Sequence, residues 1–414
     1  MLQSLDALLV TDPTNIYYLT GFMGLAPDER EAYVLVTQDK LYLFTNPLYR
    51  EQAEKIVSSS SRGARSGFAR QSTVHRKKTE YVEISRENPL AQQINAICHA
   101  ELTKRHPDPE TSSGLSGSDG GRNLRRNNNF RLGFEEDNLT VAELHALEKE
   151  LNGINFVPTQ NRVEELRKFK RPDEIAQIKS ACKLTDNCFD FILTKLIPGV
   201  IESEIAWEIE SYFKKRGAEN AFPPIVAFGK NSSQPHYTST NCLAKSCGAG
   251  SRFARPDLAP QDHLRTADLI LLDFGARVNG YCADMTRMIF MGLPKTEWKK
   301  AYEALKLAQQ KALDLLVSGQ RSGAKLDQVT RDELARHNFP PYPHSLGHAV
   351  GLAIHEGPRL SIKHDEELQP GMVFSIEPGI YVPGEFGIRI EDLVLLKSDG
   401  IEVLSQSQKN LTVL

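Results

Sequence analysis

Two aspartates, Asp273 and Asp284, stand on either side of an Asn-Gly pair in the stretch LLDFGARVNGYCADMTR. An Asn-Gly pair is typical of a two-residue hairpin turn, because both positions of a type I′ turn need a positive φ. If Val278 pairs with Tyr281 across this turn, Asp273 lies opposite Thr286 and diagonal to Asp284. Both carboxylates then point to the same face, about 7–8 Å apart or somewhat less. Two like charges at this separation repel each other unless a cation lies between them.

Asp273 also ends an apolar run, residues 269–272, that is typical of a buried strand. A carboxylate at the end of a buried strand is unfavourable unless it is paired or binds a metal. For an isolated pair, one surface aspartate and one turn-capping aspartate would be a sufficient explanation. The buried strand favours a metal site instead, so we expect further ligands elsewhere in the chain.

Further candidate ligands lie nearer the C-terminus. The stretch MVFSIEPGIYVPGEFGIRIEDLVLL predicts a second strand-turn-strand unit, in which Glu377 ends one apolar strand and Glu391 lies inside the next. Arg389 is two residues from Glu391, so the two side chains are expected to share a face. The Gly-rich stretch PHSLGHAVGLAIHEGP supplies three histidines, expected in a loop setting: His344, His348 and His355. Four carboxylates at the ends of apolar strands, with histidines among them, favour a binuclear metal site.

The elements that must position these groups alternate irregularly along the second half of the chain. Amphipathic periodicity and helix-end residues predict helices at residues 140–151, 172–196, 203–217, 297–317 and 326–337. The strands between them favour antiparallel hairpins over parallel β-α-β units, so we predict an α+β domain over residues 164–414. No GxGxxG or GxxxxGK[ST] loop occurs in a suitable context, which leaves phosphate chemistry unsupported.

Residues 1–163 are predicted to form a smaller α/β domain that begins with a buried strand at residues 7–10. Two biased tracts interrupt it, a basic one at residues 58–79 and a polar one at residues 104–129. Basic tracts can bind nucleic acid, but Phe68 is the only aromatic ring in the two, which is unlike a base-stacking surface. We therefore predict solvated or disordered insertions and no nucleic-acid partner.

The composition is that of an ordinary soluble protein: 414 residues, 40% hydrophobic, 25% charged, with a net charge of −3. Its six cysteines form no CxxC pair, which favours reduced thiols over a disulfide scaffold. The first residues lack a basic region followed by an apolar one, and no apolar run approaches the ~18 residues needed to cross a membrane. We expect a cytoplasmic protein without a membrane partner.

Five motifs in the second half of the chain resemble the ligand-bearing motifs of the pita-bread metallopeptidases. They are LLDFGA, CADMTR, HSLGHAVGLAIHE, SIEPGIY and RIED. This family contains methionine aminopeptidase, prolidase and Xaa-Pro aminopeptidase, and the resemblance runs from about Glu164 to the C-terminus. A second stretch, DPTNIYYLTGF at residues 12–22, resembles the N-terminal domain of creatinase, prolidase and Xaa-Pro aminopeptidase. Methionine aminopeptidase lacks that domain, so the resemblance implies a peptide substrate with proline at the second position.

The resemblance implies two divalent metal ions held by five residues: Asp273, Asp284, His348, Glu377 and Glu391. In the family pattern the two aspartates bridge or chelate the ions, and the histidine binds one ion only. Oxygen-rich coordination with a single imidazole suits Mn²⁺ first, with Co²⁺ and Zn²⁺ as alternatives. Two such ions can share a hydroxide, lower its pKa and hold it for attack on a peptide carbonyl.

The resemblance also implies roles for residues beyond the ligands. His236, in NSSQPHYTS, and His355 are expected to line the substrate site, one of them aiding proton transfer or oxyanion stabilisation. Glu377 is in addition a candidate general base. His344 and Arg389 are expected to orient ligands and to balance the excess negative charge.

The leading hypothesis is a dinuclear Xaa-Pro aminopeptidase that forms a homodimer. An Xaa-Pro dipeptidase, or prolidase, is the alternative, and it must also hold the free C-terminal carboxylate of a dipeptide. A non-catalytic pita-bread binding module is a more distant alternative, because the ligand set is intact.

The chain departs from the family pattern in two places. Ala349 stands where the family usually has Gly after the ligand histidine, and its methyl is expected to narrow the approach to the metal. The link between the His236 loop and the LLDFGA strand, residues 241–263, is longer than is usual in the family. The spacing of Cys242 and Cys247 within it is not that of a zinc site. Whether this insertion and the two tracts gate the pocket, mediate assembly or do neither is left open.

Overall fold

The computed structural model describes residues 1–24, 30–62, 77–105, 130–238 and 263–414. The chain divides into two compact units, Met1–Leu166 and Arg167–Leu414, close to the predicted boundary after residue 163. No helix among the described residues is both long and apolar enough to cross a membrane.

The first unit is built on a six-stranded mixed sheet in the order β4-β3-β2-β1-β5-β6. Its strands are β1 (Ala7–Val10), β2 (Ala32–Val36), β3 (Lys40–Thr45), β4 (Lys78–Glu83), β5 (Phe130–Glu135) and β6 (Ile154–Thr159). Its helices are α1 (Pro13–Thr20), α2 (Arg50–Arg62), α3 (Leu90–Arg105) and α4 (Val141–Glu150). A short helix, α5 (Glu164–Arg167), spans the boundary. The predicted α/β character of this unit is confirmed.

The ends of the two biased tracts belong to regular elements. The basic tract begins inside helix α2 and ends in strand β4, which pairs in parallel with β3. The polar tract begins inside helix α3, which continues to Arg105. Three stretches lie outside the described residues: residues 63–76 of the basic tract, residues 106–129 of the polar tract, and residues 241–262 of the third insertion, with Cys242 and Cys247.

The second unit combines four long helices with several small sheets. The helices are α6 (Pro172–Leu193), α7 (Glu202–Lys214), α8 (Thr296–Val317) and α9 (Gly323–Arg336). The first eight strands are β7 (Glu219–Asn220), β8 (Ile225–Phe228), β9 (Leu269–Asp273), β10 (Ala276–Val278), β11 (Tyr281–Cys282), β12 (Thr286–Phe290), β13 (Gly347–Ala349) and β14 (Glu356–Leu360). The last six are β15 (Val373–Ile376), β16 (Gly379–Val382), β17 (Phe386–Arg389), β18 (Asp392–Lys397), β19 (Gly400–Val403) and β20 (Thr412–Val413).

These strands form sheets in the orders β20-β12-β9-β8, β11-β10-β7, β14-β13-β15-β18-β19 and β16-β17. Every pairing described in this unit is antiparallel except that of β12 with β20. One core cluster packs helix α8, through Trp298, Tyr302 and Leu305, against side chains of strands β9, β12, β15 and β17. The predicted α+β architecture with antiparallel sheets is confirmed.

The Asn-Gly hairpin has the predicted turn and register. Val278 pairs with Tyr281, and Asn279 and Gly280 have φ values of 48° and 84°. Both values are positive, as a type I′ turn requires.

Farther from the turn, Asp273 pairs with Thr286, also as predicted. The base of the hairpin, β9 with β12, nevertheless belongs to a different sheet from its tip, β10 with β11, and Gly275 lies between β9 and β10. A Cβ atom at Gly275 would lie only 1.8 Å from the carbonyl oxygen of Ala283. The absence of a side chain here lets the two strands that carry the aspartates approach closely.

Two predicted ligand positions differ from the structure. Glu391 does not lie inside a strand but in the break between β17 and β18, because its backbone N–H donates to Thr286 of β12 over 3.2 Å. His348 lies on strand β13 rather than in a loop. The strand forms because Gly347 lets it pack closely on β15, where a Cβ would lie 1.9 Å from the carbonyl oxygen of Ser375.

Candidate metal centre and active site

One cleft of the second unit, with a volume of about 740 Å³, is lined by every site residue predicted from the sequence. They are His236, Asp273, Asp284, His344, His348, His355, Glu377, Arg389 and Glu391. The roles assigned to them from the sequence stay predictions, whereas their common location is observed.

The five predicted metal ligands lie at the ends of, or within, short buried strands. Asp273 is the last residue of β9, and Asp284 lies just before β12. His348 is the central residue of β13, Glu377 follows β15 directly, and Glu391 precedes β18. These strands are almost entirely buried. The polar residues at their ends and His348 line the floor of the cleft.

Asp284, His348 and Glu391 form a compact buried group whose ligand atoms all lie within 4.8 Å of one another. Nε2 of His348 lies 3.5 Å from Oδ2 of Asp284 and 3.3 Å from Oε1 of Glu377. Nitrogen and oxygen ligands of a divalent ion lie about 2.0–2.2 Å from the metal. The group therefore has a size suited to a shared cation.

The imidazole of His348 is arranged to offer a lone pair to the cleft. Burial lowers its pKa to about 4, with His355 adding to the effect, so the ring is neutral at pH 7. Nδ1 lies 3.2 Å from the carbonyl oxygen of Ala349, which can only accept a hydrogen bond. Nδ1 therefore carries the proton, and Nε2 faces the carboxylates as an acceptor. This tautomer is the one that binds a metal through Nε2.

The carboxylates of the cleft destabilise one another's charges. Burial, followed by the neighbouring Glu391 and Asp273, raises the pKa of Asp284 well above its ordinary value. Burial, followed by Glu377 and Asp273, does the same for Glu391. Burial also raises the pKa of Glu377 to about 8, although Arg389 opposes the shift. Such a group is stable in its ionised form only when cations lie among its oxygens.

Two oxygens in the cleft are buried without a hydrogen-bond partner among the described residues. They are Oδ1 of Asp273 and Oε1 of Glu391. Unpaired buried oxygens are rare in native structures and indicate a missing ligand or ion. Together with the Nε2 lone pair of His348, they form a donor set of carboxylates and one imidazole. The residues present therefore fit divalent metal ions.

Arg389 is the cation that the chain itself places among these carboxylates. Its guanidinium donates to Oδ2 of Asp273 at 2.5 Å, to the hydroxyl of Thr286 at 3.0 Å and to the hydroxyl of Tyr381 at 2.7 Å. It also reaches the carbonyl oxygen of Pro235 at 3.2 Å. One guanidinium among four carboxylates leaves excess negative charge, so Arg389 orients ligands without neutralising the site.

His344 reaches this network through the tyrosine hydroxyl. Its Nδ1 lies 2.8 Å from the carbonyl oxygen of Ser345, and its Nε2 lies 3.0 Å from the hydroxyl of Tyr381. Burial lowers the pKa of His344 to about 4, so the ring is neutral at pH 7. Nδ1–H then donates to Ser345 and Nε2 accepts from Tyr381, whose oxygen accepts from Arg389.

His355 and His236 lie at the exposed mouth of the cleft rather than on its floor. The ring of His355 meets that of His348 edge to face, with centroids 4.5 Å apart. Burial, with Arg359 adding to it, lowers the pKa of His355. The segment of His236 is anchored beside it, because the hydroxyl of Tyr237 donates to Glu202 over 2.7 Å. Both histidines are placed to touch a bound ligand without binding a metal on the floor.

Three hydroxyl residues of the site were missed by the sequence analysis. Thr286 donates to Oε2 of Glu391 at 2.8 Å, and Ser375 donates to Oε1 of Glu377 at 3.1 Å. The third, Tyr381, joins His344 to Arg389. Thr286 was detectable, because the predicted hairpin register already placed it opposite Asp273. Tyr381 was detectable in part, because it ends the SIEPGIY motif, although its contact with His344 joins segments 37 residues apart.

Ala349 does not narrow the approach to the metal site, contrary to the prediction. Successive side chains of strand β13 point to opposite faces, so His348 faces the cleft while Ala349 packs in the hydrophobic core with Phe374. Ala349 is not among the residues that line the cleft.

Comparisons with known proteins give the family. Residues 176–398 match metallopeptidase family M24, and residues 2–104 and 119–169 match the creatinase/prolidase N-terminal domain. The chain is 31% identical to the uncharacterized peptidase YqhT of Bacillus subtilis (strain 168), over 99% of this chain and 96% of that protein.

Two solved structures are similar over nearly the full length. An Xaa-Pro dipeptidase from Bacillus anthracis is 30% identical with a TM-score of 0.76, covering 99% of this chain and 96% of its own. An X-Pro aminopeptidase from Thermotoga maritima MSB8 is 25% identical with a TM-score of 0.74, covering 100% and 99%. The family resemblance and fold class expected from the sequence are confirmed: the chain belongs to metallopeptidase family M24, with a creatinase/prolidase N-terminal domain ahead of a pita-bread catalytic domain.

Proposed function

We propose that the chain is a dinuclear Xaa-Pro aminopeptidase, which releases the N-terminal residue ahead of proline. The observation that carries the proposal is the buried donor set on the cleft floor. There, oxygens of Asp273 and Glu391 that have no partner in the described part of the chain accompany the Nε2 lone pair of His348. A peptidase needs such a set to hold divalent ions beside a scissile carbonyl.

Five residues would hold the ions: Asp273, Asp284, His348, Glu377 and Glu391. Carboxylate oxygens with a single imidazole suit Mn²⁺, with Co²⁺ and Zn²⁺ as alternatives. When bound, two divalent ions polarise a peptide carbonyl and make an attacking nucleophile available near neutral pH.

The chain's own residues supply the remaining functions. Glu377 keeps one oxygen fixed by the hydroxyl of Ser375, and it is the candidate general base on the floor of the cleft. Arg389 and His344 hold the hydroxyl of Tyr381 between them, which orients the guanidinium toward Asp273.

The exposed histidines at the mouth of the cleft are proposed to contact the peptide around the scissile bond. His355 lies against His348 with its ring edge to face, so a peptide above the floor lies within its reach. His236 lies beside Pro235, whose carbonyl oxygen accepts from Arg389. One of the two would move a proton or stabilise the oxyanion.

Proline in the substrate is supported by the lining and by the relatives. Apolar side chains line the cleft beside the polar floor: Phe222, Ile225, Pro235, Ile354 and Ile362. Both solved structures described above act on Xaa-Pro peptides by name. An apolar wall accommodates a pyrrolidine ring better than a charged side chain.

An Xaa-Pro dipeptidase is the second candidate, because the rim of the cleft is cationic. Arg359 and Lys363 are exposed residues that line it. A dipeptide presents its free carboxylate close to the scissile bond, and exposed cations attract such a group. For either enzyme we propose a homodimer, on the basis of family resemblance.

Hydrolysis of Xaa-Pro-Xaa tripeptides and Xaa-Pro dipeptides by metal-free protein, before and after addition of Mn²⁺, tests the proposal. Metal-dependent release of the first residue from tripeptides, lost in Asp284→Ala, is the expected result. Cleavage of dipeptides alone would identify the dipeptidase. Binding of two ions per chain without hydrolysis under Mn²⁺, Co²⁺ or Zn²⁺ would overturn both and favour a binding module.

A further inference from the structure

A carboxylate outside the metal centre, Asp327 on helix α9, is fully buried beneath the cleft wall. Its Oδ1 accepts from the hydroxyl of Tyr342 at 2.6 Å and from Nε of Arg331 at 2.8 Å. Its Oδ2 accepts from the backbone N–H of Ile362 at 3.0 Å. All three partners are donors, so the site needs a group that only accepts.

Arg331 extends this contact to the segment that carries His344. Its Nη1 donates to the carbonyl oxygen of Tyr342 at 2.7 Å, and its Nη2 donates to that of His344 at 2.6 Å. Its guanidinium carbon also lies 4.0 Å from the centre of the Tyr342 ring. The guanidinium is held in one orientation by Asp327, so the two carbonyl groups are held as well.

The ring of His344 is fixed by the same group of residues. The Tyr342 and His344 rings stack, with centroids 5.0 Å apart and planes at 28°. On its other side, His344 meets the hydroxyl of Tyr381 at 3.0 Å, which in turn meets Arg389 at 2.7 Å. Direct contacts therefore run without a gap from helix α9 to the guanidinium that holds Asp273.

We infer that Asp327 is a positioning residue for His344, acting through Arg331 and Tyr342. It fixes the backbone of His344 through Arg331 and the ring through Tyr342, so that Nε2 stays directed at Tyr381. Through Ile362 the same carboxylate also holds a second segment that lines the cleft, residues 361–364. The effect of Asp327 on hydrolysis rests on the proposed function, whereas the positioning of His344 does not.

The kinetic test compares Asp327→Asn with Asp332→Asn, a substitution at an exposed carboxylate of the same helix that bonds only Gln328 in the described structure. An amide keeps the size of Asp327 but can accept through one oxygen only. We expect Asp327→Asn to lower kcat about 10- to 100-fold at saturating Mn²⁺, as small misplacements of catalytic groups do. Asp332→Asn is expected to match the wild type.

A double-mutant cycle with His344→Ala separates positioning from a general structural effect. If Asp327 acts through His344, Asp327→Asn lowers kcat no further in the His344→Ala background. An equal loss in both backgrounds would overturn the inference. If Asp327→Asn folds poorly, Tyr342→Phe provides the same cycle, because it leaves the Asp327–Arg331 pair intact. We expect Tyr342→Phe to lower kcat several-fold in the wild-type background and not at all in the His344→Ala background.

A measurement that does not depend on hydrolysis tests the inference even if the proposed function is wrong. In zinc-loaded, ¹⁵N-histidine-labelled protein, the ring signals of His344 are identified by their loss in His344→Ala. We expect the wild type to show protonated Nδ1 and bare Nε2, and Asp327→Asn to shift or broaden these signals while Asp332→Asn does not. Unchanged signals in Asp327→Asn contradict the inference, whether or not the chain cleaves Xaa-Pro peptides.

Discussion

The guanidinium of Arg389 donates from Nη2 to Oδ2 of Asp273 over 2.5 Å, at the floor of the cleft. The other oxygen of Asp273, Oδ1, is buried and has no hydrogen-bond partner among the described residues. One oxygen is thus held by the protein while the other is directed at the centre of the carboxylate group. This division of roles is that of a metal ligand fixed by a neighbouring cation.

Replacing Arg389 by lysine tests this orientation. An ammonium keeps the charge but cannot reproduce the guanidinium's contacts with Asp273, Thr286 and Tyr381 at once. We expect Arg389→Lys to lower kcat about 10- to 100-fold at saturating Mn²⁺, with cooperative unfolding retained. Steady-state kinetics and thermal unfolding provide the measurement. Arg321→Lys, at an arginine that bonds backbone carbonyls, is the control, and wild-type kcat in Arg389→Lys would refute the role.

Thr286→Val tests the hydroxyl that the sequence analysis missed. Thr286 donates to Glu391 at 2.8 Å and accepts from Arg389 at 3.0 Å, so it fixes both at once. Valine has the same shape without the hydroxyl, and we expect Mn²⁺ affinity to fall about 10-fold by calorimetry. Thr330→Val is a matched control, because within the described ranges that buried hydroxyl donates only to Leu326 of its own helix. Equal affinities in the two variants would contradict the prediction.

The local sequence specified the strands and the hairpin register, because turn chemistry and apolar runs act over a few residues. Asp273 opposite Thr286 followed from counting outward from the turn. The close approach of Gly275 to Ala283 did not, because only the folded hairpin creates it.

Eight of the nine candidate site residues were found from local patterns and His236 from motif resemblance, but most of their hydrogen-bond partners were not found. Tyr381 ends the SIEPGIY motif, but its contact with His344 comes from a segment 37 residues away. Asp327 lies in none of the quoted motifs, and it contacts Ile362 over 35 residues of sequence. Glu391 was placed inside a strand because the sequence around it is apolar on both sides. The structure breaks that strand, since the backbone of Glu391 bonds Thr286 of another sheet.

Metal-free protein is expected to lose stability as the pH rises from 6.5 to 8. Burial raises the pKa of Glu377 from 4.5 to about 8, so in this window the unfolded chain has already lost a proton that the folded chain still holds. His344 and His348, whose pKa values are lowered to about 4, act in the opposite direction only below their ordinary value of 6.5. The free energy of unfolding, measured by denaturant titration at several pH values, gives the slope.

Glu377→Gln isolates the contribution of this carboxylate. The variant is expected to lose less stability between pH 6.5 and 8, by up to about 1.4 kcal/mol per pH unit. Glu385→Gln, an exposed substitution in the turn before β17, is expected to keep the wild-type slope. Mn²⁺ competes with protons for the carboxylates, so its stabilising effect is expected to grow toward pH 8. A wild-type slope in Glu377→Gln would show that Glu377 is ionised in the metal-free chain.

Gly275→Ala tests whether the closeness of the two aspartate strands is needed for the metal centre. A methyl at Gly275 would overlap the carbonyl oxygen of Ala283, a backbone atom that cannot turn aside. The strands carrying Asp273 and Asp284 must then move apart, so we expect a loss of Mn²⁺ affinity together with about 1–3 kcal/mol of stability. Gly384→Ala, in a turn with open space and a φ of 74°, is expected to cost only about 1 kcal/mol and to leave Mn²⁺ affinity unchanged. Calorimetry and denaturant unfolding on both variants distinguish the outcomes, and wild-type affinity in Gly275→Ala would show that the ligands tolerate wider spacing than the structure implies.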